Sequence, residues 1–163
     1  MEKINETIQE LAKFNEWSQS LQEVEDKYFF TPIKKGKWTP AEIISHITSW
    51  DRYILKELMP KMKENADIES VEFEVINQPA AEYALSGISK EQLLKEQKEA
   101  RTQLIQGLKE KTEKQFYATF TLDGEELDAF SGYPHSMFNY INVFVWHDNH
   151  HKQQIKEFLT SLS

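Results

Sequence analysis

The chain has 163 residues, a net charge of −8 and no cysteine. This length predicts a single domain, residues 1–163, with enough core to fold without a disulfide or a structural metal. The negative charge argues against a nucleic-acid partner, because proteins that bind nucleic acid neutralise its phosphates with a basic surface. The lack of cysteine excludes a cysteine nucleophile and thiolate ligands, so a metal site would use histidine or carboxylate side chains.

The N-terminus has the charge pattern of a protein without a leader sequence. Glu2, Lys3 and Glu6 occupy the region where a signal peptide needs an apolar run. No stretch of the chain comes near the roughly 20 apolar residues that span a bilayer. We therefore expect a cytoplasmic protein that does not associate with a membrane.

Four segments carry apolar residues in steps of three and four, which is typical of amphipathic helices. They run from Ile4 to about Tyr28, from Pro40 to about Pro60, from Ser89 through Leu108, and from about Ser136 to the C-terminus. The second segment has the clearest start, because Thr39 and Glu42 form a capping box around Pro40. Four such helices predict an all-α four-helix bundle.

Two long connections interrupt the helical pattern. Residues 61–87 show no sustained helical period, and residues 71–75 alternate apolar side chains with glutamate, so we expect a crossover with a short extended piece. Residues 112–134 are again irregular, with a turn at Asp123-Gly124. The bundle is therefore predicted to have long crossover connections and neighbouring helices that are not consecutive in sequence.

Three of the five histidines cluster on the predicted last helix. At about 100° per residue, His151 lies roughly 40° from His147 and faces the bundle with it, whereas His150 lies at the edge of that face. Two imidazoles one turn apart can both reach one ion. The candidate third ligand is His46 on the second helix, which would meet His147 if the two helices are neighbours.

Two other arrangements stay open at this point. The histidine pair could be hydrogen-bonded to Gln154, Glu42 or Glu57, with no ion between the rings. Alternatively, Asp51, Asp148 or a glutamate could complete the coordination of a metal. Of these, Asp51 is disfavoured, because it lies roughly 140° around its helix from the candidate histidine.

Two segments resemble the motifs of a known family. Gly-Lys-Trp-Thr at residues 36–39 leads into the helix that carries His46, and residues 147–155 read His-Asp-Asn-His-His-Lys-Gln-Gln-Ile. These segments are similar to those of the DinB-like family, also called DinB/YfiT-like, which is distinct from the DNA polymerase that shares the name. Its members are small metal-binding four-helix bundles, and the resemblance extends over nearly the whole chain.

The resemblance implies a ligand set. His46, His147 and His151 would hold one divalent transition metal, nickel or zinc foremost. His150 corresponds to a family position that supplies no ligand, and His135 has no counterpart in the two motifs. Trp38 is expected to act as a hydrophobic staple that closes the start of the second helix.

The resemblance also implies a chemistry. Three neutral imidazoles leave a coordination position open, as catalytic sites do. Characterised members of the family include transferases that use a low-molecular-weight thiol such as bacillithiol. The first hypothesis is therefore a thiol S-transferase acting on an electrophilic substrate, with Trp50, Tyr53 and Gln154 lining its pocket.

Two alternatives to the transferase remain. One is a metal-dependent hydrolase that uses a metal-bound water, with Glu42 or Glu57 as the base. The other is a non-catalytic metal-binding protein of the stress response. Either enzyme would lose activity at mildly acid pH, as the histidines take up protons. Members of the family are frequently dimers, so the resemblance also implies a homodimer.

Overall fold

The computed structural model describes residues 1–162, which form seven α-helices and two short strands. The helices are α1 (Glu2–Gln19), α2 (Asp26–Phe29), α3 (Pro40–Tyr53), α4 (Phe73–Ala84), α5 (Lys90–Lys109), α6 (Glu113–Tyr117) and α7 (Met137–Ser161), and the strands are β1 (Asp67–Ile68) and β2 (Thr121–Leu122). A 3-10 turn at Ser20–Glu23 follows α1, and a π-helical segment at Ile54–Leu58 and a 3-10 turn at Met59–Lys61 follow α3. Within residues 1–162, every helix is too short or too polar to cross a membrane.

The long helices α1, α3, α5 and α7 form a four-helix bundle, which confirms the predicted fold class. α1 packs against α5 and α7, and α3 packs against the same two helices. Their apolar stripes supply the core, with Leu11 of α1, Ile47 of α3, Leu104 of α5 and Ile141 of α7 all buried. The contact of α3 with α7 places the two histidine-bearing helices side by side.

The first helix is shorter than predicted. α1 ends at Gln19, and the residues up to Tyr28 form a 3-10 turn and the start of α2, so the prediction of one helix to Tyr28 is wrong. The hydroxyl of Ser20 donates to the carbonyl of Trp17, which occupies a backbone acceptor at the helix end. Val24 then adopts an extended conformation, with φ −80° and ψ 134°, and the chain turns.

α3 begins where the sequence predicts. Thr39 Oγ1 accepts a hydrogen bond from the backbone N–H of Glu42, and the Glu42 carboxylate accepts one from the backbone N–H of Thr39. This capping box fixes the first turn, and with it the direction in which His46 points about two turns later. Beyond Tyr53 the helix widens into the π-helical segment and ends around Pro60, near the predicted end.

The first crossover contains a helix that the sequence did not predict. Residues 73–84 form α4, so the expected extended piece at residues 71–75 is wrong, and the short strand lies earlier, at β1. The apolar alternation was misleading because Phe73 and Val75 are exposed, at 69% and 58%. α4 instead packs on α3 through small residues such as Ala80, whose carbonyl accepts a hydrogen bond from Ser45.

The second connection is irregular, as predicted, apart from α6. Thr112 and Gln115 form a capping box at the start of this short helix. Asp123 and Gly124 make the predicted turn, with φ of 53° and 83°. β2 pairs in parallel with β1, so the two connections lie side by side at one end of the bundle.

A buried ion-pair cluster links the helices of the bundle. The guanidinium of Arg101, on α5, bonds to Asp51 of α3, to Asp148 of α7 and to the carbonyl of Leu11 in α1. Burial alone would lower the pKa of Arg101, but the two carboxylates outweigh it and raise that pKa. A single charged side chain thus joins all four helices.

Candidate metal centre

α3 and α7 bring three histidines together inside the bundle. His147 Nε2 lies 3.1 Å from His46 Nε2 and 3.1 Å from His151 Nε2. One ligand atom from each residue lies within 4.8 Å of the other two. The four-residue spacing puts His147 and His151 on one face of α7, and the packing of α3 against α7 carries His46 to them.

Burial keeps the three imidazoles uncharged at neutral pH. Desolvation, together with the charge that His151 would carry, lowers the pKa of His46 to about 4. Desolvation likewise lowers the pKa of His151 to about 4. The pKa of His147 falls to about 2, because it is desolvated and faces both of the other rings. The neutral imidazole is the form that binds a metal.

The ring nitrogens that point away from the centre are held differently in the three residues. His46 Nδ1 lies 2.7 Å from Oδ1 of Asn77, a residue of α4. His151 Nδ1 lies 2.8 Å from Oε1 of Gln154, one turn further along α7. His147 Nδ1 is buried, and nothing within residues 1–162 hydrogen-bonds to it.

The donor set fits a divalent transition metal. Nδ1 of His46 and Nδ1 of His151 each lie next to an amide oxygen, and an imidazole that donates from Nδ1 carries its lone pair on Nε2. The Nε2 atoms of both rings face His147 Nε2. A cation among the three nitrogens would satisfy all of them, and imidazole suits zinc, nickel, copper and iron alike. Within the part of the chain that the structure describes, no carboxylate belongs to the group formed by the three histidines. Three protein ligands leave the open position that catalytic sites keep.

Aromatic rings enclose the histidines. The Trp38 ring centroid lies 4.9 Å from that of His46, and the Trp50 ring centroid lies 6.4 Å from it. Phe144 stacks on His147 at 5.4 Å. Trp38 packs against the apolar cluster at the start of α3, as a staple would, and it also forms a wall of the site. These rings give the three imidazoles apolar neighbours on several sides.

The predicted pocket residues lie at different distances from the histidines. Trp50 touches His46 with its ring and donates its indole N–H to Asn77 at 2.8 Å. Gln154 lies within hydrogen-bond distance of Nδ1 of His151, so its side chain supports the His151 ring and is not free to contact a substrate. Tyr53 packs against Trp50 at 5.5 Å, one layer further from the three rings.

The acidic residues that were considered as ligands or bases have other partners. Asp51 and Asp148 are both bonded to Arg101. Glu42 is used in the capping box of α3, and Glu57 is exposed on the π-helical segment. Within the described residues, the candidate bases of a hydrolase and the candidate carboxylate ligands therefore lie outside the three-histidine group.

The two remaining histidines lie outside the group. His150 is exposed on α7 and stacks on Trp146, with ring centroids 5.3 Å apart and an interplanar angle of 9°. His135 lies in the connection before α7, where it is buried and stacks on Phe120 at 6.2 Å. Neither ring belongs to the set that could hold an ion.

Asn77 is the site residue that sequence reasoning missed. It lies on α4, in a segment that was predicted to be a crossover without a helix. Its amide oxygen accepts from Trp50 and lies within hydrogen-bond distance of His46. A single asparagine in a segment without a sustained helical period gives no sequence signal. Only the packing of α4 on α3 shows that Asn77 belongs to the site.

The architecture and the site together define a class of small helical bundles with a three-histidine centre. The chain belongs to the DinB superfamily, whose family model matches residues 7–155. No curated protein matches the sequence at a significant level. Among solved structures, the chain is similar to YfiT from Bacillus subtilis, described as a probable metal-dependent hydrolase with an unusual four-helix bundle topology. The TM-score is 0.73 at 18% identity, over 99% of this chain and 89% of that one, so this likeness supports the fold.

Proposed function

We propose that His46, His147 and His151 hold one divalent transition metal, zinc or nickel, and that the chain is a metal-dependent enzyme. The observation that carries the proposal is the convergence of three uncharged Nε2 atoms, with 3.1 Å steps between them, inside an aromatic enclosure. When bound, the ion would supply Lewis-acid chemistry, lowering the pKa of a thiol or water at its open position. Both candidate activities draw on this property.

The first candidate activity is the transfer of a low-molecular-weight thiol, of the bacillithiol type, to an electrophilic substrate. The thiol loses its proton to solvent, its sulfur bonds to the electrophilic carbon, and the leaving group departs with the bonding electrons. A thiol needs no strong base to ionise near neutral pH, since its free pKa is already about 8.5. A reaction that needs no strong base suits the three-histidine group, because no carboxylate from the described residues belongs to that group. The chain has no cysteine, so the thiol would be a cosubstrate.

The residues of the site have distinct parts in this scheme. The three imidazoles stay neutral because they are buried, and they provide the nitrogen ligands. Trp38 and Trp50 keep water away from one side of the centre, which would protect a thiolate from reprotonation. The same rings offer an apolar surface to the substrate.

The second candidate activity is metal-dependent hydrolysis, and one observation favours it. The fold is that of YfiT, which is described as a probable metal-dependent hydrolase. In this chain the two glutamates first considered as bases are in the capping box and on an exposed segment, so a hydrolase would have to work without them. The two candidate activities differ in their nucleophile, which is a thiol in the first and water in the second, so only the first needs an added thiol for turnover.

A thiol-transfer assay separates the candidates. The full-length chain, loaded with zinc or nickel, is incubated with bacillithiol and monochlorobimane, and the fluorescent conjugate is measured. The proposal expects a rate above the uncatalysed one that is lost in His151→Ala and kept in His150→Ala, an exposed histidine on the same helix. Equal rates for the wild type and His151→Ala would contradict it. Turnover of an activated ester that does not depend on added thiol would favour the hydrolase.

A further inference from the structure

Asn77 connects a tryptophan and a histidine across the interface of α3 and α4. Its Oδ1 atom accepts the indole N–H of Trp50 at 2.8 Å and lies 2.7 Å from Nδ1 of His46. We propose that Asn77 is a positioning residue that holds His46 in the tautomer protonated at Nδ1 and thereby turns its Nε2 lone pair toward the metal centre. This inference rests on the proposed function for its role in metal binding.

The orientation of the Asn77 amide follows from Trp50. An indole N–H can only donate, so the amide atom that faces it has to be the oxygen rather than the NH₂ group. His46 Nδ1 meets this same oxygen and therefore also has to donate. A neutral imidazole that is protonated at Nδ1 carries its lone pair on Nε2, the atom 3.1 Å from His147 Nε2.

The local packing leaves Nδ1 of His46 little alternative to the Asn77 amide oxygen as its hydrogen-bond partner. His46 is only 5% exposed, so bulk water cannot readily take the place of the amide oxygen. One turn along α4, the carbonyl of Ala80 accepts the hydroxyl of Ser45 at 2.7 Å, which fixes α4 against the residue that precedes His46. Asn77 is thus presented from a helix that is itself tied to α3.

His151 provides a useful comparison. Its Nδ1 meets the Oε1 of Gln154, an amide on the same helix. Within the part of the chain that the structure describes, no donor-only group faces that oxygen, so the Gln154 amide is not oriented in the way that Trp50 orients Asn77. Asn77 is therefore the support whose removal should most directly change the tautomer of a ligand ring.

The consequences of replacing Asn77 follow from its acceptor role. Asn77→Leu removes the acceptor of two donors, and loss of such a support lowers metal affinity by about 10-fold to 100-fold. Asn77→Asp keeps an oxygen in place for both Trp50 and His46, so we expect zinc affinity equal to or above that of the wild type. Gln78→Leu is the matched control, because Gln78 neighbours Asn77 on α4 but is exposed and bonds to Glu82.

The experiment combines two readouts on the full-length chain. Long-range ¹H–¹⁵N spectra of the metal-free protein report which nitrogen of His46 carries the proton, with His46→Gln used to assign the signal. Competition with a chelator then measures zinc affinity for the wild type and each variant. We expect Nδ1 protonation of His46 in the wild type, Asn77→Asp and Gln78→Leu, and loss of this preference together with weaker zinc binding in Asn77→Leu.

Several outcomes would decide against the inference. Protonation of His46 at Nε2 in the metal-free wild type overturns it, and so does an unchanged tautomer and zinc affinity in Asn77→Leu. If Asn77→Leu does not fold, two other results still test the inference. Protonation of His46 at Nε2 in the wild type, or a zinc affinity of Asn77→Asp below that of the wild type, would contradict it. A wild-type chain that binds no zinc contradicts the proposed function, whereas the tautomer of His46 in that chain tests the role of Asn77 independently.

Discussion

Arg101 and Asp148 form a two-pronged ion pair directly behind the histidine centre. Nη1 and Nη2 of Arg101 lie 2.8 and 2.9 Å from the two carboxylate oxygens of Asp148, the residue that follows His147 on α7. The same guanidinium bonds Asp51 on α3, the helix of His46. The relative position of the two histidine-bearing helices is therefore fixed by one arginine from α5.

Replacing Arg101 should strongly destabilise the protein. Arg101→Met leaves two buried carboxylates without their counter-charge, and breaking a buried ion pair in this way costs about 3–5 kcal/mol. Denaturant unfolding of the metal-free chain measures the loss. Lys98→Met, an exposed lysine on the same helix, should change the free energy of unfolding by less than about 0.5 kcal/mol. Similar unfolding midpoints for the two variants would contradict the role given to Arg101.

The metal-free protein should lose stability as the pH falls from about 6.5 to 4. In the unfolded chain the three histidines take up protons near pH 6.5. In the folded chain burial lowers the pKa of His46 and of His151 to about 4 and that of His147 to about 2, so these rings stay neutral. The unfolded state then binds more protons, and the free energy of unfolding falls with the pH.

A variant with glutamine at all three positions isolates this effect, because other groups, such as the buried carboxylates, titrate in both proteins. The wild type should lose stability more steeply than the triple variant between pH 6.5 and 4, as measured by chemical denaturation at each pH. Parallel curves for the two proteins would show that the three rings are not desolvated. The same pKa values predict that the proposed metal is lost at a lower pH than the mildly acid pH expected from the sequence alone.

Under the proposed function, Glu42 should be dispensable for catalysis. Its carboxylate accepts hydrogen bonds from the backbone and hydroxyl of Thr39, and glutamine can fill the same place in a capping box. Glu42→Gln should therefore retain nearly all of the metal-dependent turnover and most of the stability. Thr39→Ala, which removes the cap itself, should cost about 1 kcal/mol. A large loss of turnover with unchanged stability in Glu42→Gln would restore Glu42 as a catalytic base.

Much of the site was predictable because its determinants are local. The capping box at Thr39 fixes where α3 begins, and the four-residue spacing of His147 and His151 fixes their common face whatever the tertiary structure. The approach of His46 to that face was conditional on helix packing, which depends on long-range contacts. The sequence pattern indicated the three candidate ligands, and only the structure shows that α3 and α7 are neighbours.

The residues that surround the site were harder to predict. Asn77 could not be assigned because α4 carries exposed Phe73 and Val75, whose alternation is typical of a strand. The burial of Arg101 was equally difficult to predict, since a charged residue on an amphipathic helix is normally exposed to solvent. Its burial becomes understandable only when Asp51 and Asp148 are placed on either side of it.

The metal content of the purified chain tests the central claim most directly. After incubation with zinc or nickel and removal of unbound ions, elemental analysis of the wild type should find about one metal ion per chain, as a three-histidine site predicts. His147→Ala should lose the ion, because His147 Nε2 is the atom that both other rings face, whereas His150→Ala should keep it. A wild type without bound metal, or a His147→Ala variant that retains it in full, would contradict the account.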